Sequence, residues 1–257
     1  MPSFLLFTLH APMASWGDIA VGERRGSWRV PSRSAVLGLC GAALGVSRDD
    51  VQGQQALVQD YRVAARVDVA GGVGEDYHTI QTVPAVNVRR AAPTTRRELL
   101  ALSERETILS RRRYLDNSLF TIAMWVLPSA RWSLQQLADA LHAPRHVPYA
   151  GRKAHALGLP MRPEVVDAAS LGAALLQRAA IPDEHPMLQD LALRLKGSGS
   201  WGRAVHHDRC EGFDSGLVGA PRREVRRDVP VTRSATWQFV EREVFVALQP
   251  ESSESAA

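Results

Sequence analysis

Tyr149, Lys153 and His155 fall within one short stretch, and His78 follows Tyr77 directly. A histidine with a near-neutral pKa can act as general base or acid, with Tyr and Lys as partners for proton transfer or charge neutralisation. A second group, His206-His207-Asp208-Arg209-Cys210, offers metal-ligand atom types. It lacks paired CxxC or HxxxH spacing, and neighbouring histidines on an extended segment point to opposite sides. These residues read as surface positions on a loop, and no metal site or cofactor is expected. A third constellation binds anions rather than transforming them. Arg24, Arg25, Arg29 and Arg33 precede or begin an apolar, helix-like stretch that starts near Pro31, with Ser32 as first and Ser34 as second candidate N-cap. An open helix N-terminus flanked by guanidinium groups is a phosphate-binding arrangement.

The elements that must position these residues follow from the hydrophobic pattern. Val36, Leu37, Leu39, Cys40, Ala43 and Leu44 give the helix an apolar face, and Gly45 ends it. Gly38 and Gly41 each cost about 1 kcal/mol relative to Ala within a helix, so the helix backbone is expected to pack close to a sheet there. Before it, Phe4–Leu9 is apolar on both faces, as a central strand would be. After it come a short helical pattern near Gln54–Gln59 and an alternating strand, Tyr61–Val69. From residue 75 to 117 apolar density falls and arginines multiply, including Arg111, Arg112 and Arg113, with Tyr77, His78 and Tyr114 between them. This reads as an insertion projecting from the domain, for which the plain alternative to a binding role is a solvated, partly mobile loop. Basic residues with interleaved aromatics suit phosphate contact with base stacking. Ser118–Leu127 returns as an apolar strand. Ser133 caps a helix containing Leu134, Leu137, Ala138 and Leu141, and Tyr149–Lys153 forms a tight basic turn.

The order strand, helix, strand, insertion, strand, helix, extended segment predicts an α+β fold, a ferredoxin-like (RNA-recognition-motif-like) βαββαβ domain over residues 1–160 with a basic thumb at 75–117. A smaller C-terminal region, 161–250, holds a helix at Ser170–Arg178, a Gly/Ser turn at Lys196–Gly202, a basic run at Arg222–Arg227 and a strand at Val240–Leu248. The tail, 251–257, is expected to be disordered.

The 257 residues carry 31 basic and 27 acidic side chains, a net charge of +4, which alone does not establish a nucleic-acid partner. Only Lys153 and Lys196 are lysines, so the positive charge is almost entirely guanidinium, suited to bidentate phosphate contacts. Two distant cysteines, Cys40 and Cys210, and no signal-peptide pattern point to a reducing cytoplasm. No apolar run approaches the length of a membrane span.

Several motifs carry a family resemblance. Pro12-Met13-Ala14-Ser15-Trp16-Gly17, Pro31-Ser32-Arg33-Ser34 leading into Leu37-Gly38-Leu39, Asp76-Tyr77-His78-Thr79, Arg113-Tyr114-Leu115 and Pro144-Arg145-His146-Val147-Pro148-Tyr149-Ala150-Gly151-Arg152 occur in order. Over about the first 160 residues the chain resembles the CasD-like Cas-five subunits of type I-E CRISPR surveillance complexes, Cascade, in the RAMP superfamily. The resemblance implies a non-catalytic subunit of antiviral defence. Such a subunit caps the 5′ handle of the CRISPR RNA, contacts the backbone subunit CasC through its thumb and lies close to the large subunit CasA. It meets target DNA only through the assembled complex. The segment 183–229, with its His206-His207-Asp208, departs from the family pattern.

The implied RNA contacts divide by chemistry. Arg24, Arg25, Arg29, Arg33, Arg111, Arg112 and Arg113 reach phosphates, and Tyr77, His78, Tyr114 and Tyr149 offer rings for stacking. Ser32, Ser34, Gln81 and the backbone near Trp16 and Gly17 supply hydrogen bonds. Arg145, Arg152 and Lys153 join them from the motif before and within the basic turn. The aromatic signature of RNA-recognition motifs is missing, so bases are not expected to stack across the sheet face. The rival reading is a metal-independent endoribonuclease, as in other Cas-five subtypes, using Tyr149, Lys153 and His155.

Overall fold

The computed structural model describes residues 1–20, 22–181, 186–197, 203–231 and 238–250. Most of the predicted Gly/Ser turn and the whole of the 251–257 tail lie outside the described residues. The fold is mixed α/β and dominated by an antiparallel sheet. Its central strands are β1 (Ser3–Ala14), β3 (Tyr61–Val69) and β5 (Glu106–Val126). The apolar residues of Phe4–Leu9, Val63–Val69 and Leu119–Trp125 are buried on both faces, which is why these stretches read as near-continuous hydrophobic runs. With β6 (Glu164–Asp167), β7 (Ala204–His207), β8 (Val218–Val231) and β9 (Gln238–Leu248), the sheet order is β6-β1-β5-β3-β7-β9-β8. The segment beyond 160 therefore extends the same sheet, through β6 on β1 and β7 on β3.

One face is covered by α1 (Arg33–Leu44) and α5 (Leu134–His142). Val36, Leu37, Cys40, Leu137 and Leu141 pack there against Leu5, Phe7, Phe120, Ile122 and Met124. Ser32 is the N-cap of α1, its Oγ accepting from Ala35 N at 3.2 Å, and Gly45 closes the helix at φ +75°. The capping box of Ser133 and Gln136 starts α5. The short helical pattern is realised as α2 (Val51–Asp60), capped by Asp50. The other face is covered by α6 (Leu171–Leu176) and by Phe213, which meets Phe4 and Trp125 edge-on at 5.5 and 5.7 Å. That face is thereby closed by protein side chains. A further helix, α7 (Pro186–Gly197), buries Leu195 beside Val69 and Leu119.

The insertion is an ordered arm. Strand β5 runs unbroken through 21 residues, its first half pairing with β4 (Gly72–Thr82) outside the core and its second half entering the sheet. Asn117, at φ +48°, marks the change of direction, in a conformation that Asn tolerates better than most side chains. Two short helices, α3 (Ala85–Ala91) and α4 (Arg96–Ala101), fill the arm's end and bury none of their residues. The excursion expected here is a solvated hairpin. Its alternating polar residues conceal the strand period because neither face is covered by core.

The helix glycines divide. A Cβ on Gly41 would stand 3.0 Å from Leu57 Cδ1, whereas Gly38 is exposed with nothing within 4 Å of that position. The expectation of close backbone packing is corrected at Gly38.

Candidate nucleic-acid interface

At the base of the arm three strands lie side by side. The two-residue strand β2 (Arg24–Arg25) pairs in parallel with β5, setting Arg24 beside Arg111 and Arg25 beside Arg112, and Arg111 N donates to Glu23 O at 2.9 Å. On the other side, Glu75, Tyr77 and Asp76 of β4 oppose Arg113, Arg111 and Arg112. Because side chains alternate along a strand, Arg24, Arg111 and Arg113 share one face with Tyr77 and Glu75. Arg25 and Arg112 share the other with Asp76, His78 and Tyr114. The Arg111 guanidinium lies 5.7 Å from the Tyr77 ring centroid, and Tyr77 is 59% exposed, so cation and aromatic surface are presented together. Glu75 lies 3.6 Å from Arg111 and 3.4 Å from Arg113; these exposed pairs neutralise little. Tyr114 is committed locally, its ring lying across Gly74.

Clefts connect this base to the start of α1. One is lined by Asp18, Ile19, Arg24, Arg25, Glu75, Arg111 and Arg113. A second brings Arg25, Arg112 and Arg152 to Ser15, Gly17 and Asp18. A third runs from Gly17 and Asp18 past Ser32 and Ser34 to Arg227, Asp228 and Phe239. The fourth, about 300 Å³, is apolar, with Trp16, Ala35, Gly38, Pro148, Tyr149 and Phe239 in its walls. Gly17 or Asp18 borders every one of them. Gly17 sits at φ +58°, allowing the loop to turn between clefts. The loop after Tyr149 is pressed onto this junction. Ser15 N donates to Ala150 O at 3.0 Å, Gly151 at φ +82° leaves room for Ser15 O, and Arg152 Nη2 donates to Arg113 O at 3.0 Å. Burial lowers the Arg152 pKa and the nearby Arg112 charge lowers it further, with Asp76 opposing. Guanidinium groups so gathered favour an anionic ligand.

The structure sorts the sequence-derived candidates. Arg24, Arg25, Arg111, Arg112, Arg113, Arg152, Tyr149, Ser32, Ser34, Trp16 and Gly17 border this connected surface, with Tyr77 alongside. His78 shares the arm but lines none of these clefts. Gln81 lies further out on the arm, opposite Thr107, and Arg29 and Lys153 are exposed outside the clefts. Trp16 is 2% exposed and edge-on to Phe120, so it is mainly core.

Arg33 is corrected from a phosphate ligand to a structural residue. It is 4% exposed, its Nε lies 3.1 Å from Asp208 Oδ2, and its Nη2 donates to Val58 O and Tyr61 O. The helix mouth is corrected with it. Arg33 N donates to Asp228 Oδ2 at 2.7 Å, so an internal carboxylate already takes the anion position. Arg145 sits at the opposite end of α1, its side chain against Gly45 and its N–H on Ala43 O. His207 and Asp208 are buried rather than on a surface loop, Asp208 accepting from Arg33, Val63 N and Arg242. His155 is 6% exposed and lines none of the clefts, although Tyr149 does. Asp18, Arg227 and Phe239 were missed by sequence reasoning. The last two reach the clefts only through long-range pairing of β8 and β9, which leaves no local signal.

A family model described as CRISPR-associated protein (Cas_Cas5) matches residues 4–245. The chain belongs to this family. Among curated relatives, this Cas5 chain is 34% identical over 169 residues to the CRISPR system Cascade subunit CasD of Escherichia coli (strain K12), covering 63% of the chain and 70% of that relative. A chain of a solved CRISPR RNA-guided surveillance complex superposes on it with a TM-score of 0.60 at 27% identity, over 96% of this chain and 90% of that one.

Proposed function

We propose that this Cas5 protein is the non-catalytic, CRISPR RNA-binding subunit of a Cascade complex in antiviral defence, and that it caps the 5′ handle of the RNA. The observation that carries the reading is the side-by-side placement of Arg24 and Arg25 with Arg111 and Arg112, continuous with clefts around Gly17. Phosphates run along the arginines, and splayed bases enter the apolar cleft beside Tyr149 and Phe239. The strand order β6-β1-β5-β3, with α1 and α5 on one face, supports a ferredoxin-like core from which the β4–β5 arm acts as thumb. Exposed Val86 and Leu100 on the arm's two helices suit contact with a neighbouring CasC subunit, and CasA lies close by in this reading. Target DNA is met only through the assembled complex, in the cytoplasm. Among the described residues no helix is long and apolar enough to cross a membrane. The burial of His155 away from the Tyr149 cleft supports a binding role over cleavage.

The test is purification of the tagged protein from its host, with sequencing of bound RNA. RNAs sharing one repeat-derived 5′ end, with several co-purifying subunits, are expected. Protein free of RNA and partners, or RNA with random ends, would overturn the reading.

A further inference from the structure

A carboxylate stands within the basic surface, where it meets the same phosphates that the arginines would hold. Asp18 borders three of the four clefts, among Arg24, Arg25, Arg111, Arg112, Arg113 and Arg152. Yet no ion pair among the described residues includes it. Its Oδ1 accepts from Ile19 N at 2.7 Å, which orients the group. Its Oδ2 lies over Gly26, where a Cβ would stand only 2.7 Å away. The missing side chain at Gly26 therefore makes room for the carboxylate in this position.

An unpaired carboxylate in a phosphate-binding groove disfavours the RNA backbone at that point through like-charge repulsion. It accepts hydrogen bonds and donates none. We infer that Asp18 is a specificity-determining residue that faces a base edge, selecting a nucleobase with an exocyclic amine and rejecting uracil at one nucleotide position. Cytosine N4, adenine N6 and guanine N2 each donate to such a group. Uracil presents a single N–H flanked by two carbonyl oxygens, which face the carboxylate unfavourably. This inference rests on the RNA-binding reading of the groove and adds to it the choice of base.

The experiment selects RNA from a random eight-nucleotide library with the full-length chain, its Asp18→Asn variant and its Gly26→Ala variant, followed by sequencing. The wild type should deplete uridine at one register at least fivefold. Asp18→Asn, whose amide also donates, should lose that depletion. Gly26→Ala, which keeps the charge but displaces it, should weaken the depletion. Uridine depletion unchanged in both variants would overturn the assignment of Asp18. A wild type that binds in a salt-dependent manner without depleting uridine would overturn it equally, leaving the groove intact. A wild type that retains no RNA would overturn the groove and the inference together.

Discussion

The Arg33 main-chain N–H donates to Asp228 Oδ2 at 2.7 Å, so the first turn of α1 is closed by a carboxylate from β8. The same carboxylate receives Arg242 through Nε at 2.7 Å and Nη2 at 3.0 Å, while Arg242 Nη1 reaches Asp208 at 2.6 Å. Two arginines and two aspartates thus form a charge-balanced group between α1, β3 and the C-terminal hairpin. Its position explains why the helix mouth serves the fold, leaving exposed arginines at the arm's base to meet an external anion.

Asp228→Ala should destabilise the protein strongly. Asp228 is 2% exposed, and its loss leaves Arg242 Nε and Nη2 and a helix N–H without their acceptor. Removing one partner of a buried ion pair costs about 3–5 kcal/mol. Urea denaturation should show an unfolding free energy lower by that amount, with a correspondingly lower midpoint; a wild-type midpoint would mean that the hairpin is held by its strand pairing alone.

The double substitution Arg111→Ala with Arg112→Ala addresses the opposite case. Both guanidinium groups line clefts, and neither is buried. Thermal stability should stay near wild type while RNA affinity falls. For single strands each lost phosphate contact reduces the slope of log K against log salt by about 0.7, so two reduce it by about 1.4. Titration of a single-stranded RNA across several salt concentrations measures this, and an unchanged slope would exclude both residues from phosphate contact.

Gly38 and Gly41 should respond in opposite ways. Gly38→Ala adds no contact and improves helix propensity, raising stability by about 1 kcal/mol. Gly38→Leu should melt near wild type yet obstruct the apolar cleft and weaken RNA binding. Gly41→Leu forces side-chain atoms toward Leu57 and should cost about 1–3 kcal/mol. Melting curves of the three variants, with RNA titrations for the two at Gly38, separate a packing position from a binding one.

The contrast between those glycines shows what the sequence could and could not disclose. Periodicity located α1, α5 and the central strands because their apolar faces meet one core, and Ser32 and Ser133 announced their helices through local capping. Gly38 and Gly41 look alike locally; only tertiary packing sets Leu57 against one and leaves the other open. The same limit applies to charge. Arg33 and Arg111 are equivalent by type, but Asp208, 175 residues away, commits Arg33 to the interior. Arg24 and Arg25 were legible as basic residues, although their parallel pairing with β5 depends on a contact across the chain. The cleft walls at Arg227 and Phe239 required the folded C-terminal hairpin.

Acid should weaken the fold through His206. Its pKa is lowered from 6.5 to about 4, first by burial and then by the Arg226 charge, with Glu224 opposing. Arg226 Nη2 lies 2.9 Å from His206 Nδ1, which fits a neutral ring accepting from the guanidinium. Between pH 6.5 and 4 the unfolded chain binds a proton that the folded chain refuses. Stability from this group is therefore full above pH 6.5 and declines as pH falls toward 4, amounting to a loss of about 2 kcal/mol by pH 5. Denaturation at pH 7.5, 6 and 5 should reveal the slope, to which His207, also lowered by burial, adds in the same direction. His206→Gln removes only the first contribution. If the variant and the wild type lose the same stability between pH 7.5 and 5, His206 is not held neutral by Arg226, and the fold's acid sensitivity arises elsewhere.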